Sequence, residues 1–401
     1  SSTFAKSLKS AGSLTEWRKA YDIAKKSPIA RLIVAASIAP PLLKILGERN
    51  FVLYLYGTTR SGKSTCLLCG ASAVGNTDMV VSFDGTDKGL LGMAAETTDF
   101  PFFVDEKQSA DPRLKEQFQR FIYSVANGKE RVRAKKDGSI KSVREWRNIT
   151  ICNGETSLTD DNATGGAFTR LLQIHNPKII LPADDCKEIR RIIKNNYGHA
   201  LPLFIAQIFE YGFDELRENY NELVGVFAKT FPNVLNEYCR YMAIMTLADA
   251  VLNIALGVEK DTAFSDAGDN AKKIFDFVPT LEEISDAERE KDFVMGFIAQ
   301  NQRKFLGASK WLETSETYGK ITDEYTFIID KVLDQACKAV GFNPDKVIAD
   351  LIADNFFVPA NTIEKGRKKP RDTVQQRIGS RNARCYRIRN TDDDENFVPQ
   401  K

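Results

Sequence analysis

Residues 51–75, FVLYLYGTTRSGKSTCLLCGASAVG, constrain the fold of this chain more than any other stretch. A run of β-formers, Phe51 to Tyr56, leads into Gly57-Thr58-Thr59-Arg60-Ser61-Gly62-Lys63-Ser64-Thr65, and a helix-compatible segment follows. G-x-x-x-x-G-K-S/T between a strand and a helix is the context of a phosphate-binding loop. The glycines let the backbone curl so that successive N–H groups face an anion at the positive end of the next helix. Gly57, Thr58, Arg60, Ser61, Gly62, Lys63, Ser64 and Thr65 are therefore the expected nucleotide contacts. Lys63 would reach the β- and γ-phosphates, and Ser64 would hold a magnesium ion.

The 401 residues suffice for two or three domains, and 43% hydrophobic with 27% charged residues is a globular composition. A net charge of +2 says nothing about partners, so the distribution of charge has to. No run of 18 apolar residues and no signal peptide is found, which predicts a soluble, cytoplasmic protein with no membrane partner. The Ser1-Ser2 start reads as a processed or truncated end. Seven scattered cysteines include a lone C-x-x-C, Cys66 and Cys69, read as buried thiols in a reducing compartment rather than as half a zinc site.

Residues 1–48 read as helical, with a second apolar helix from Ile29 to Ala39 stopping at Pro40-Pro41. Beyond the loop, a short strand at Met79–Phe83 precedes Pro101-Phe102-Phe103-Val104, which ends in Asp105-Glu106. A strand running into two carboxylates suits a phosphohydrolase: Asp105 completes the magnesium shell and Glu106 polarises the attacking water. After an amphipathic helix over 112–127 comes KERVRAKKDGSIKSVREWR, with eight basic and three acidic residues. It reads as a β-hairpin carrying Arg133, with Lys135 and Lys136 at its tip. Such a hairpin either pushes cations at a polyanion or is merely solvated. The strand Asn148–Cys152 places Asn153 where an amide can orient water at the γ-phosphate. Arg170, just ahead of the strand Leu171–Ile174, is either a surface charge or a finger into a neighbouring subunit's nucleotide.

Residues 183–257 read as helices suited to a lid, on which Arg190, Arg191 and Arg240 are either phosphate contacts or, the favoured reading, plain surface residues. Residues 258–285 look like an acidic linker. Two helices, 330–340 and 344–355, are joined by Gly341-Phe342-Asn343 with helix–turn–helix spacing. Lys365 to Arg389 then holds ten basic residues and one acid. This is a winged-helix reading in which Lys368, Lys369, Arg371 and Arg381 meet nucleic acid; the alternative is a basic domain docking an acidic partner.

GTTRSGKST, FFVDEK, the NGKERVRAKKDG hairpin and ITICNGE…GAFTRLLQI together resemble the hexameric, MCM-like AAA+ helicase and replication-initiator proteins of mobile genetic elements, such as staphylococcal pathogenicity islands and cassette chromosomes. The resemblance spans residues 50–210 and extends to the C-terminal winged helix. It implies an α/β fold: an AAA+ P-loop NTPase core with a helical lid and a C-terminal winged-helix domain. The expected domains are an N-terminal helical region 1–48, the core 49–182, the lid 183–257, a linker and helix 258–310, the winged helix 311–390 and an acidic tail 391–401. It implies that Lys63, Ser64, Asp105 and Glu106 carry ATP and Mg2+ chemistry, that Asn153 is a sensor and that Arg170 acts in trans. It further implies a homo-hexamer unwinding DNA with single-stranded DNA in its channel at Lys135 and Lys136, duplex DNA at the winged helix, and Arg240 as second sensor. The competing function is an ATP-regulated initiator that assembles at an origin without unwinding.

Overall fold

A computed structural model describes residues 3–83, 87–105, 112–129, 143–158, 169–176, 179–284, 286–308, 316–353, 356–364 and 367–390. The chain divides into two compact units, the first ending at Leu281 and the second beginning at Glu282.

The first unit is built on a five-stranded parallel sheet of β1 (Phe51–Gly57), β2 (Val81–Ser82), β3 (Pro101–Asp105), β4 (Ile149–Gly154) and β5 (Leu171–Asn176), in the order β2-β3-β4-β1-β5. Strand β1 is apolar without alternation because, as an interior strand of a parallel sheet, it is covered on both faces. Its even-numbered side chains Val52 and Tyr54 share a core with Phe102, Val104 and Cys152. Phe118, Phe121, Ile122 and Val125 of α7 (Pro112–Ala126) close that face at i, i+3, i+4, i+7 spacing. The other face is covered by α3 (Pro28–Ile38) and α5 (Lys63–Val74).

The N-terminal helices are part of this unit. Helix α2 (Leu14–Ala24) is capped by Ser13, whose side chain accepts from Glu16 N, and α3 by Ser27 with Pro28 in its first turn. Pro40-Pro41 ends α3 as expected, but the prolines also open a further helix, α4 (Pro40–Leu46), since a first-turn proline lacks only an N–H that would go unused. Trp17 Nε1 donates to Ser72 Oγ at 3.0 Å, bracing α2 on α5. The segment 183–257 is helical as predicted: α8 (Ala183–Ile193), α9 (Ala200–Tyr211), α10 (Phe213–Thr230) and α11 (Asn236–Ala255).

The predicted linker is not one. Residues Lys260–Phe275 form a helix, α12, capped by Glu259 and packed on α11 and α3. The stretch 258–310 is therefore split between the units rather than joining them.

In the second unit, β6 (Phe305–Leu306), β7 (Gly319–Ile321), β8 (Tyr325–Ile329), β11 (Val374–Ile378) and β12 (Arg381–Arg389) form a sheet in the order β11-β12-β8-β7-β6. A separate antiparallel hairpin joins β9 (Ala360–Glu364) to β10 (Arg367–Arg371). Helix α13 (Asp286–Gln300) contributes Val294 and Ile298 to the core of this unit. Helices α14 (Asp330–Ala339) and α15 (Pro344–Ala353) flank a turn in which Gly341 takes φ +85°. The basic stretch 365–389 falls on two hairpins, β9–β10 and then β11–β12, the latter reversing at Gly379-Ser380 with φ +60° at Gly379.

Candidate functional site: a phosphate pocket at the sheet's carboxyl end

Gly57 closes β1 with φ +141°, and a Cβ there would stand 2.1 Å from the Asn176 carbonyl of β5. The loop turns back through Arg60 (φ 60°) and Gly62 (φ +101°), where α5 begins. Ile180 N and Leu181 N both donate to Ser61 O, fixing the loop's outer side. Helix α5 opens without a side-chain cap, so its first N–H groups face the loop's interior. That is an anion site by geometry.

Lys63 is buried, and its Nζ donates to Gly57 O and Thr58 O at 2.7 Å each. Sheet order does the rest. Because β4 lies between β3 and β1, Asp105 and Asn153 are register partners and both face the start of α5. Ser64 Oγ stands 3.3 Å from Asp105 Oδ1 and accepts from Asn153 Nδ2 at 3.3 Å. These groups line a cavity of about 310 Å³ with Arg60, Ser61, Gly62, Thr65, Thr59, Glu155 and Arg190.

A hydroxyl beside a carboxylate, with an anion-binding helix start adjoining, is the donor set of a hard cation that keeps phosphate and water oxygens as its remaining ligands. Ser64 and Asp105 fit magnesium on that ground. The Ser61 hydroxyl, buried and without a hydrogen-bond partner among the described residues, marks a polar floor that a polyphosphate would complete.

Glu106 and the hairpin residues Arg133, Lys135 and Lys136 lie outside the described residues. Among the described residues that flank this stretch, Lys129 and Glu145 form an antiparallel bridge. Beside that bridge, Arg147 pairs with Asp99 at 2.7 Å and Trp146 Nε1 donates to Val125 O. Lys368, Lys369 and Arg371 fall on β10, and Arg381 begins β12, exposed. Arg170 is not in the pocket; it donates to Asn127 at the opposite end of β5.

Arg240 also lies elsewhere. Its guanidinium is 2.6 Å from Glu48 Oε1, which accepts from the Tyr220 hydroxyl as well. These bonds hold Arg240 charged and away from the pocket of its own copy. Arg191 pairs with Glu188 at the surface. Of the three lid arginines it is Arg190 that lines the pocket, its Nε donating to Thr65 Oγ1 at 3.0 Å. Glu155, which the sequence reading gave no role, accepts the Thr59 hydroxyl at 2.6 Å. Its only signal was position, since it directly follows the end of β4 at Gly154. The C-x-x-C cysteines are both buried on α5, and burial pushes Cys69 up to about 12 and Cys66 well above its ordinary value.

Comparison with known proteins follows this geometry. Residues 1–145 match the model of a domain of unknown function, DUF927, and residues 285–393 match the Cch helix turn helix domain. A solved structure described as SCCmec type IV Cch, active helicase, superposes with a TM-score of 0.72 at 22% identity, covering 95% of this chain and 70% of that one. No curated protein matches in sequence. The chain thus has the α/β core, helices and C-terminal helix-turn-helix domain of a Cch-type helicase fold.

Proposed function

We propose that this chain is an ATP-dependent DNA helicase that works as a hexameric ring in the replication of a mobile genetic element. The observation that carries the reading is the convergence of Lys63, Ser64, Asp105 and Asn153 on one cavity at the start of α5. ATP with Mg2+ supplies a phosphoanhydride bond whose cleavage drives movement. Within the pocket Lys63 offsets phosphate charge, Ser64 and Asp105 hold the metal, Asn153 orients water and Glu106 accepts its proton. Arg190 adds a cation from the helical side. Arg170 serves a neighbouring copy, and Lys135 and Lys136, with Arg133, grip single-stranded DNA by its phosphates.

Three measurements test this. Lys63→Ala abolishes ATPase and unwinding. The Lys135→Ala/Lys136→Ala pair retains ATPase and loses unwinding; normal strand displacement by that pair refutes the channel assignment. Single-stranded DNA stimulates ATPase, with a steep dependence on salt because the contacts are to phosphate.

The helix-turn-helix match favours a second reading, an origin-binding switch in which ATP controls assembly and Lys368, Lys369, Arg371 and Arg381 contact duplex DNA. It requires sequence-specific duplex binding with slow ATPase and no strand separation.

A further inference from the structure

Glu155 places a second carboxylate, besides Asp105, at the edge of a pocket whose glycine-rich loop and helix start are suited to anions. It accepts the Thr59 hydroxyl at 2.6 Å, on the β4 side of the loop, two residues from Asn153. The other end of the pocket is held differently, with Arg190 on the Thr65 hydroxyl of α5. Thr59 is therefore the loop residue beside the group that orients water, where the terminal phosphate of a triphosphate belongs.

A threonine hydroxyl carries one hydrogen. Glu155 and a phosphate oxygen cannot both receive it, and two anions facing one another at that spot repel. A ligand whose terminal phosphate reaches Thr59 must turn Glu155 away; a ligand one phosphate shorter leaves the pair intact. We propose that Glu155 sets the preference of this site between nucleoside triphosphate and diphosphate, acting through Thr59 as a positioning residue. The inference rests on the pocket binding a nucleotide.

The backbone that follows Glu155 is held in place. Immediately after Glu155, the Thr156 carbonyl accepts from the Tyr54 hydroxyl at 2.8 Å. Ser157 Oγ and Leu158 N both donate to Gln173 Oε1, at 3.2 and 2.8 Å. The backbone beyond Glu155 is thus tied to β1 and β5, while the Glu155 side chain is exposed and has water to turn into.

The test is equilibrium titration of the full chain, in the presence of Mg2+, with fluorescent ADP and with a fluorescent, slowly hydrolysed ATP analogue. Specificity is a ratio of two affinities, so the ratio is the readout. Glu155→Gln and Glu155→Ala each tighten the triphosphate about tenfold, the worth of one hydrogen bond to a charged group. ADP affinity stays at the wild-type value, and Glu155→Asp retains the wild-type ratio. Equal shifts for both nucleotides, or a weaker triphosphate, overturn the assignment of Glu155 while leaving the nucleotide site standing. A wild-type chain that binds neither nucleotide overturns both.

Discussion

Asp249 offers the sharpest test of the claim that the N-terminal helices and the helical segment form one body. Its Oδ2 pairs with Arg31 Nε at 2.7 Å, and its Oδ1 accepts from the Tyr21 hydroxyl and from Asn253 Nδ2, each at 3.0 Å. The Arg31 side chain is 12% exposed and that of Asp249 5%, so α2, α3 and α11 meet through a buried ion pair. Asp249→Ala leaves the Arg31 guanidinium buried without its counter-charge. Breaking one side of such a pair costs about 3–5 kcal/mol, and the residual exposure of Arg31 sets the expectation near ~3. Tyr21→Phe removes one hydrogen bond from a carboxylate that keeps two partners, about 1 kcal/mol. The double variant Arg31→Met/Asp249→Leu, which removes both charges, should recover most of the loss. Urea unfolding in a Trp311→Phe background, where Trp17 and Trp146 report the first unit alone, reads these differences. At a slope of about 3 kcal/mol/M, Asp249→Ala lowers the midpoint by about 1 M. A midpoint within about 0.3 M of wild type, or a double variant as unstable as Asp249→Ala, refutes the reasoning.

Burial raises the Asp249 carboxyl against the opposing pull of Arg31. The unfolded chain then releases this proton first, so wild type loses stability relative to Asp249→Asn as pH rises from the ordinary aspartate value near ~3.9 to the folded one, and the difference is flat above it; a difference that grows toward neutral pH contradicts this. Cys66 and Cys69 should resist alkylation at pH 8 in the folded chain and react on denaturation, whereas Cys186, which lines the pocket, should be alkylated and protected by nucleotide; mass spectrometry of labelled peptides decides. Arg190→Ala should lower ATP affinity or turnover at least tenfold while Arg240→Ala leaves both near wild type, measured by steady-state kinetics. Arg170→Ala should bind nucleotide normally yet lose ATPase by about 10³–10⁵, a barrier of about 4–7 kcal/mol; undiminished turnover removes Arg170 from the mechanism.

The glycine-rich turn between β1 and α5 was legible because its spacing is local: a strand, a turn forced by glycines and a helix start are contiguous in the chain. Asp105 and Asn153 were legible because each ends an apolar run, and parallel strands deliver such ends to one edge. Helix α12 was not. Its buried stripe is Ala263, Ala267, Ala271 and Ile274, small residues that suit close packing on α11 and α3 but carry little hydropathy, and the aspartates between them read as a linker. Nor does spacing separate Arg190 from Arg240. Both are arginines on helices after the core, and only the fold reveals that Glu48 holds one while Thr65 of the phosphate loop receives the other.

The position of Arg170 makes assembly a matter of distance. The pocket lies at the carboxyl end of the sheet, and Arg170 immediately precedes β5, whose six residues span about 20 Å at the usual rise of a strand. Its backbone is fixed there, since Arg170 O accepts from Val52 N and the neighbouring Thr169 O accepts from the Tyr241 hydroxyl, whose ring stacks on Phe51. An arginine side chain is far shorter than that strand, so within one copy Arg170 has no path to its own phosphate pocket. If it stabilises a transferring phosphoryl group, it does so in another copy, and a head-to-tail contact that repeats this arrangement closes into a ring or extends into a filament. Catalytic rate should then rise with protein concentration, and an inactive Lys63→Ala chain with Arg170 intact should partly restore ATPase to an Arg170→Ala chain that has Lys63. Two inactive variants giving activity on mixing is a result that a monomeric enzyme cannot produce; failure of the mixture, with both variants shown to assemble, would confine Arg170 to its bond with Asn127.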